Sequence, residues 1–186
     1  MNLRPIAVAA VSMALAALAC VSLNASLIVP TDLPTLVREA QAIALGRVTD
    51  VRGVIRPGTR RVESYVVFAV DEPIKGVGAR TLIFKTLGGT SGRYTTVVPG
   101  SPVFAPGDEA VVFLGRGTTP YPIGLSHGVF RVRADRMTGE RRILPPPTLL
   151  DPKSSMTIRR GDGTRVPVAV AAFTSRLRRL AAGRQP

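Results

Sequence analysis

Alternation of hydrophobic and polar residues along much of the chain predicts a series of short β-strands. In the clearest stretch, 62–70, Val66 and Phe68 fall on one face, whereas Glu63 and Tyr65 fall on the other. We expect the face that carries Phe68 to point into the core. Similar runs predict further strands, which cover 43–54, 80–87, 94–98, 110–114, 123–134 and 141–144. The wholly apolar stretch 110–114 is typical of a core strand.

Helical spacing marks one short segment on each side of this series. Asp32 followed by Pro34 is typical of a helix start and predicts a helix over 32–40. A second, amphipathic helix is predicted before Gly183. Its apolar stripe consists of Val170, Phe173, Leu177 and Leu180.

Glycine and proline divide the chain into these short elements, since it contains 18 Gly and 16 Pro. Gly46 lies inside a predicted strand and indicates a bulge or the close approach of another backbone. Residues 138–139 and 161–163 are typical of hairpin turns, and the three prolines at 145–147 predict an extended spacer.

Many short strands, few helices and the absence of β-α-β alternation predict a mainly β protein built on a small closed barrel. A short N-terminal helix and a C-terminal amphipathic helix flank this barrel. We therefore divide the chain into a leader over 1–25, a barrel domain over 26–144, and a segment over 145–186. The last segment contains the proline-rich spacer, a hairpin and the C-terminal helix.

The leader has the pattern of a secretory signal peptide. Arg4 precedes an apolar run over 6–21, and small residues follow it. The run is shorter than the about 20 residues of a membrane-spanning helix, which favours a signal peptide. The mature chain is predicted to have no transmembrane span. Cleavage after Ala25 would release Ser26 into the periplasm or the medium. Cleavage before Cys20 would instead give a lipoprotein anchored through that cysteine, and an uncleaved membrane anchor is a further alternative.

The charge of the chain bears on its partners. It contains 25 Lys and Arg but only 12 Asp and Glu, which gives a net charge of +13. Much of the excess lies after residue 130 and favours an acidic polymer, an anionic surface or an unidentified protein as partner. Aromatic residues for base stacking are scarce there, so no specific nucleic acid is predicted. The alternative is a solvated face without a ligand. The candidate anion-binding residues are Arg159, Arg160, Arg165, Arg176, Arg178 and Arg179.

The stretch 124–128 matches the Gly-x-Ser-x-Gly pattern of a hydrolase nucleophile elbow. The elbow needs a helix after the serine, but residues 129–133 alternate like a strand. His127, the single histidine, follows Ser126 directly and would point to the opposite face of a strand. We therefore predict no catalytic residue.

Metal and cofactor sites are not predicted either. Cys20 is the single cysteine, and His127 has no partners at metal-ligand spacing. The acidic pairs 71–72 and 108–109 adjoin turn residues and are interpreted as solvated strand ends. The glycine-rich stretch 88–92 lacks the Lys-Ser/Thr of a phosphate loop and predicts a hairpin loop.

Three phrases in order resemble a known family. They read AIALGRVTDV (42–51), YVVFAVDEPIKG (65–76) and FAPGDEAVVFL (104–114). They are similar to the netrin-like, tissue-inhibitor-of-metalloprotease-like domains of bacterial secreted proteins, over about residues 31–144. The resemblance implies a five-stranded barrel of the oligonucleotide/oligosaccharide-binding type with added strands and helices.

The same resemblance implies metalloprotease inhibition, which in animal relatives uses an N-terminal cysteine tied down by a disulfide. Only cleavage before Cys20 would give such a terminus here, and the chain has no second cysteine. We therefore predict an exported, non-enzymatic barrel domain that binds a ligand or supports the cell envelope. A hydrolase with an unrecognised site and a metalloprotease inhibitor are the alternatives.

Overall fold

A computed structural model of the chain describes residues 32–146 and 167–183. The protein is mainly β, as predicted, with seven strands in one antiparallel sheet and two helices packed against it. The strands of the sheet are β1 (Ala42–Ile55), β2 (Val62–Lys75), β3 (Thr81–Leu87), β6 (Glu109–Leu114), β7 (Val129–Ala134), β8 (Arg141–Leu144) and β9 (Val168–Ala169). A separate hairpin pairs β4 (Gly89–Ser91) with β5 (Tyr94–Thr96). The helices are α1 (Leu33–Glu39) and α2 (Val170–Ala181).

The predicted closed barrel is not found among the residues that the structure describes. The strand order is β3-β2-β1-β6-β7-β8-β9, and no pairing between strands joins β3 to β9 within the described ranges. The loop after β6 approaches β3 instead, where the Lys85 N–H donates a 2.8 Å hydrogen bond to the Pro120 carbonyl. A loop therefore covers this edge of the sheet, and a barrel would need a ladder there.

The central strand β6 is buried on both faces, as the apolar stretch 110–114 predicts. Val111 and Phe113 face a core that the two helices complete. Ala110, Val112 and Leu114 face a second core on the other side of the sheet. The buried apolar residues of the described ranges thus fill two layers, one under the helices and one inside the curved sheet.

The inward face of β2 is the predicted one. Val66 and Phe68 are fully buried in the second core. The Phe68 ring lies edge-on to Phe84 at a centroid distance of 5.9 Å, and Phe84 contacts Phe104 in the same manner at 5.5 Å. This aromatic row links β2, β3 and the loop before β6.

Helix α1 begins as its sequence predicts. Oδ1 of Asp32 accepts a 2.7 Å hydrogen bond from the Thr35 N–H. The Thr35 side chain and this backbone hydrogen bond together lower the pKa of the Asp32 carboxyl. At the other end, Nζ of Lys75 donates to the carbonyls of Val37 and Arg38 at 2.7 and 3.2 Å. A β2 side chain therefore caps α1 and holds it against the sheet.

Helix α2 docks through its predicted stripe. Phe173 and Leu177 are buried in the first core, and the Phe173 ring lies 5.0 Å from that of Phe130. The strand β9 immediately before the helix pairs with β8. Through these contacts, residues 168–181 belong to the same sheet and core as the strands that precede them.

Strands β7 and β2 depart furthest from their predicted bounds. Strand β7 begins at Val129 rather than at residue 123, because Gly124 and Leu125 adopt left-handed backbone and a 3₁₀ turn over Leu125–Gly128 follows. Strand β2 runs past 70 to Lys75 and includes Pro73. Pro73 pairs beside a register shift of the β1–β2 ladder, where a missing N–H is tolerated.

Candidate binding site

The arginines predicted on the last helix are exposed on the outer side of α2. Arg178 lies 2.9 Å from Oε1 of Glu72 on β2, without the alignment of a directed hydrogen bond, so the contact is an ion pair. Arg176 and Arg179 have no ion pair within the part of the chain that the structure describes. The other predicted members of this surface lie outside the described residues, as does Cys20; they are Arg159, Arg160 and Arg165.

Basic residues also occupy the last turn of each helix, where positive charge stabilises the exposed carbonyls. Arg38 takes this position in α1, and Arg178 and Arg179 take it in α2. Arg38 and Lys75 line a cleft of about 440 Å³ beside Leu180 of α2. The ends of both helices thus meet at this cleft. We call the basic residues of this region the basic side: Arg38, Lys75, Arg176, Arg178 and Arg179.

The acidic pairs are not solvated strand ends, apart from the exposed Asp71. Oδ2 of Asp108 accepts hydrogen bonds from the Ala105 N–H at 2.9 Å and from Arg131 at 2.8 Å. Burial raises the pKa of the Asp108 carboxyl, but these hydrogen bonds outweigh burial and keep the pKa below its ordinary value. Glu109 on β6 pairs with Arg141 on β8, which lies on the far side of β7 in the sheet.

The Gly-x-Ser-x-Gly stretch forms the 3₁₀ turn and is followed by β7, so it lacks the strand-to-helix geometry of a nucleophile elbow. The Ser126 hydroxyl donates to the Gly100 carbonyl at 2.9 Å. His127 is buried in the same turn, and burial lowers the pKa of its imidazole. This segment therefore anchors the 97–104 loop to the sheet.

Within residues 32–146 and 167–183, no three His, Cys, Asp or Glu side chains are grouped closely enough to hold a metal ion. None of the helices in those ranges has the length and apolar character needed to cross a membrane.

A second site, which the sequence analysis missed, lies on the outer face of β2 and β3. Tyr65 and Lys85 are cross-strand partners. Nζ of Lys85 lies 5.8 Å from the centre of the Tyr65 ring and 4.8 Å from that of Tyr121. The backbone hydrogen bond between Lys85 and Pro120 holds the neighbouring Tyr121 next to Lys85. We call these residues, with Glu63, the tyrosine–lysine cluster.

Glu63 organises the cluster although its side chain is almost buried. Oε1 accepts a 2.8 Å hydrogen bond from the Tyr121 hydroxyl, and Oε2 lies 3.5 Å from Nζ of Lys85. The hydroxyl of Tyr121 raises the pKa of the Lys85 ammonium, burial opposes this, and the Glu63 carboxylate raises the pKa further. Lys85 is therefore a stable cation at neutral pH.

Part of this cluster has a signal in the sequence. Glu63 and Tyr65 share the polar face of the clearest strand, and Lys85 lies on the strand that follows it. Tyr121 has no such signal, since it lies in a loop whose path only the folded chain defines.

Comparison with known proteins identifies no relative of this chain. No model of a known protein family matches the chain. Neither a curated protein nor a solved structure matches it.

Proposed function

We propose that this chain is an exported, non-enzymatic β domain that binds an acidic polymer or surface through the basic side formed by its helices. The observation that carries the proposal is the position of Arg176 and Arg179. Both are exposed on α2 and lack an ion pair in the described residues, while Phe173 and Leu177 of the apolar stripe are buried. The helix is held by its packing against the core, and it exposes the guanidinium groups of Arg176 and Arg179 to solvent.

Charge balance supports this proposal. The chain has 25 basic and 12 acidic residues, so thirteen basic side chains would lack an acidic partner even if every acid were paired. Several acids are already paired within the domain, including Glu72, Asp108 and Glu109. The excess charge is therefore available to an external anion.

Two further observations support binding rather than catalysis. The raised pKa of Lys85 keeps its amine protonated, and a protonated amine is not a nucleophile. The Ser126 hydroxyl is engaged by a backbone carbonyl. The netrin-like resemblance is part of the same proposal, since its three phrases contribute β1, β2 and β6, which lie side by side in the sheet.

The double variant Arg176→Gln/Arg179→Gln tests the basic side. We expect it to weaken sedimentation with phosphatidylglycerol vesicles at low salt, with little change in thermal stability, because exposed charges contribute little to folding. High salt should release the wild-type protein, since the Debye length falls to about 3 Å at 1 M.

The matched control is Arg60→Gln/Arg116→Gln, which removes the same charge from exposed positions outside the helices. It should bind nearly as well as the wild type. Equal weakening by both double variants would show that net charge alone controls binding and would refute a site on α2.

Export has a separate test. If the leader is a signal peptide cleaved after Ala25, the intact mass of the exported protein corresponds to a chain that begins at Ser26. A diacylglycerol-modified Cys20 would establish the lipoprotein alternative. A full-length product retained in the cytoplasm would refute export.

A further inference from the structure

A cleft of about 230 Å³ opens beside the tyrosine–lysine cluster, where the β1–β2 turn meets the outer face of β2 and β3. Val54 and Ile55, at the end of β1, line one side, and Arg56 in the turn lies next to them. Drug-sized ligands occupy pockets of about 300–1,000 Å³. The cleft therefore suits a smaller ligand, of the size of a single ring.

The polar groups available in this cleft carry N–H and O–H donors. Both oxygens of Glu63 are engaged, one by Tyr121 and one by Lys85. By contrast, the Tyr65 hydroxyl makes no hydrogen bond and Arg56 makes no ion pair in the part of the chain that the structure describes. The Lys85 ammonium has three donors and contacts one carboxylate. A ligand that satisfies these groups must bring acceptors, and an anionic acceptor fits best.

The same cleft also has an apolar side. Val54 is 44% and Ile55 38% exposed, although both belong to a strand of the main sheet. With the Tyr65 ring they offer a hydrophobic surface next to the cations. Such a surface favours a ligand body with an apolar face, as a sugar ring or an aliphatic ring has.

We propose that this cleft binds a sugar acid, in which a carboxylate is carried on a ring with an apolar C–H face. The carboxylate pairs with Arg56 and Lys85, the Tyr65 hydroxyl donates to it, and the ring packs on Val54 and Ile55. The ligand is either a free sugar acid or one unit of an acidic polysaccharide. The site is separate from the α2 surface and does not depend on it.

Tyrosine fluorescence can test this site because the chain has three Tyr and no Trp. The variant Tyr94→Phe leaves Tyr65 and Tyr121 as its fluorophores. In this background we expect glucuronate or oligogalacturonate to change the emission saturably, and glucose to leave it unchanged. A stronger response to the oligomer identifies a polysaccharide as the source, and an equal response identifies the free acid. No saturable change with either acid, or an equal change with glucose, would overturn the proposal.

A matched pair of variants locates the binding. Arg56→Gln should raise the apparent dissociation constant about tenfold, because it removes a charge-assisted contact to the carboxylate. Arg60→Gln, in the same turn but outside the cleft, should leave the constant unchanged. Equal constants for the two variants would overturn the assignment to this cleft. Arg176→Gln/Arg179→Gln should bind glucuronate normally, which separates this test from that of the basic side.

Discussion

Phe68→Ala is expected to lower the free energy of unfolding by about 3–5 kcal/mol. Phe68 is fully buried, and its ring contacts Phe84 within the core inside the curved sheet. Alanine would remove most of the buried area and leave a cavity, since the surrounding β1–β2 and β2–β3 ladders restrict collapse. Urea unfolding followed by circular dichroism measures the change.

Val66 and Val67 provide the control for this prediction. They are adjacent on β2, but Val66 is fully buried whereas Val67 is half-buried on the opposite face. Val66→Ala should therefore cost clearly more stability than Val67→Ala. A Phe68→Ala protein with the wild-type unfolding midpoint would contradict the assignment of this face to the core.

Gly46→Val is expected to destabilise the fold by more than about 3 kcal/mol, beyond the ordinary range for an overpacked core. A Cβ atom at this position would lie 2.0 Å from the Ala69 carbonyl oxygen and 2.8 Å from Cε1 of Phe68. The first obstacle is backbone of the paired strand, so relief requires the β1–β2 ladder to separate locally. Thermal unfolding, with soluble expression as a second readout, measures the effect.

Gly78→Ala is the matched control, because a Cβ there meets no atom within 4 Å. It should leave stability unchanged or raise it by about 0.4–1 kcal/mol, since alanine restricts the unfolded chain. If Gly46→Val and Gly78→Ala unfold at the same temperature, the close approach at Gly46 is absent.

The local sequence pattern predicted those elements whose structure depends on residues close together in the chain. The helix at Asp32, the buried strand at 110–114, the inward face of Phe68 and the close approach at Gly46 are confirmed. The predicted closed barrel is not found in the described residues, because closure depends on which strand meets β3 and no local pattern encodes that neighbour. The acidic pairs were misread for the same reason, since their arginine partners come from other elements.

The sequence by itself determined most of the strands, both helices, the excess of positive charge and the apolar stripe that docks α2, because each depends on residue type and spacing along one segment. Only the tertiary structure decided the open sheet with its two cores and the meeting of Tyr65, Lys85 and Tyr121 around Glu63. Those features depend on contacts between residues far apart in the chain. Strand order, register and loop path set such contacts, and they emerge only when the whole chain packs.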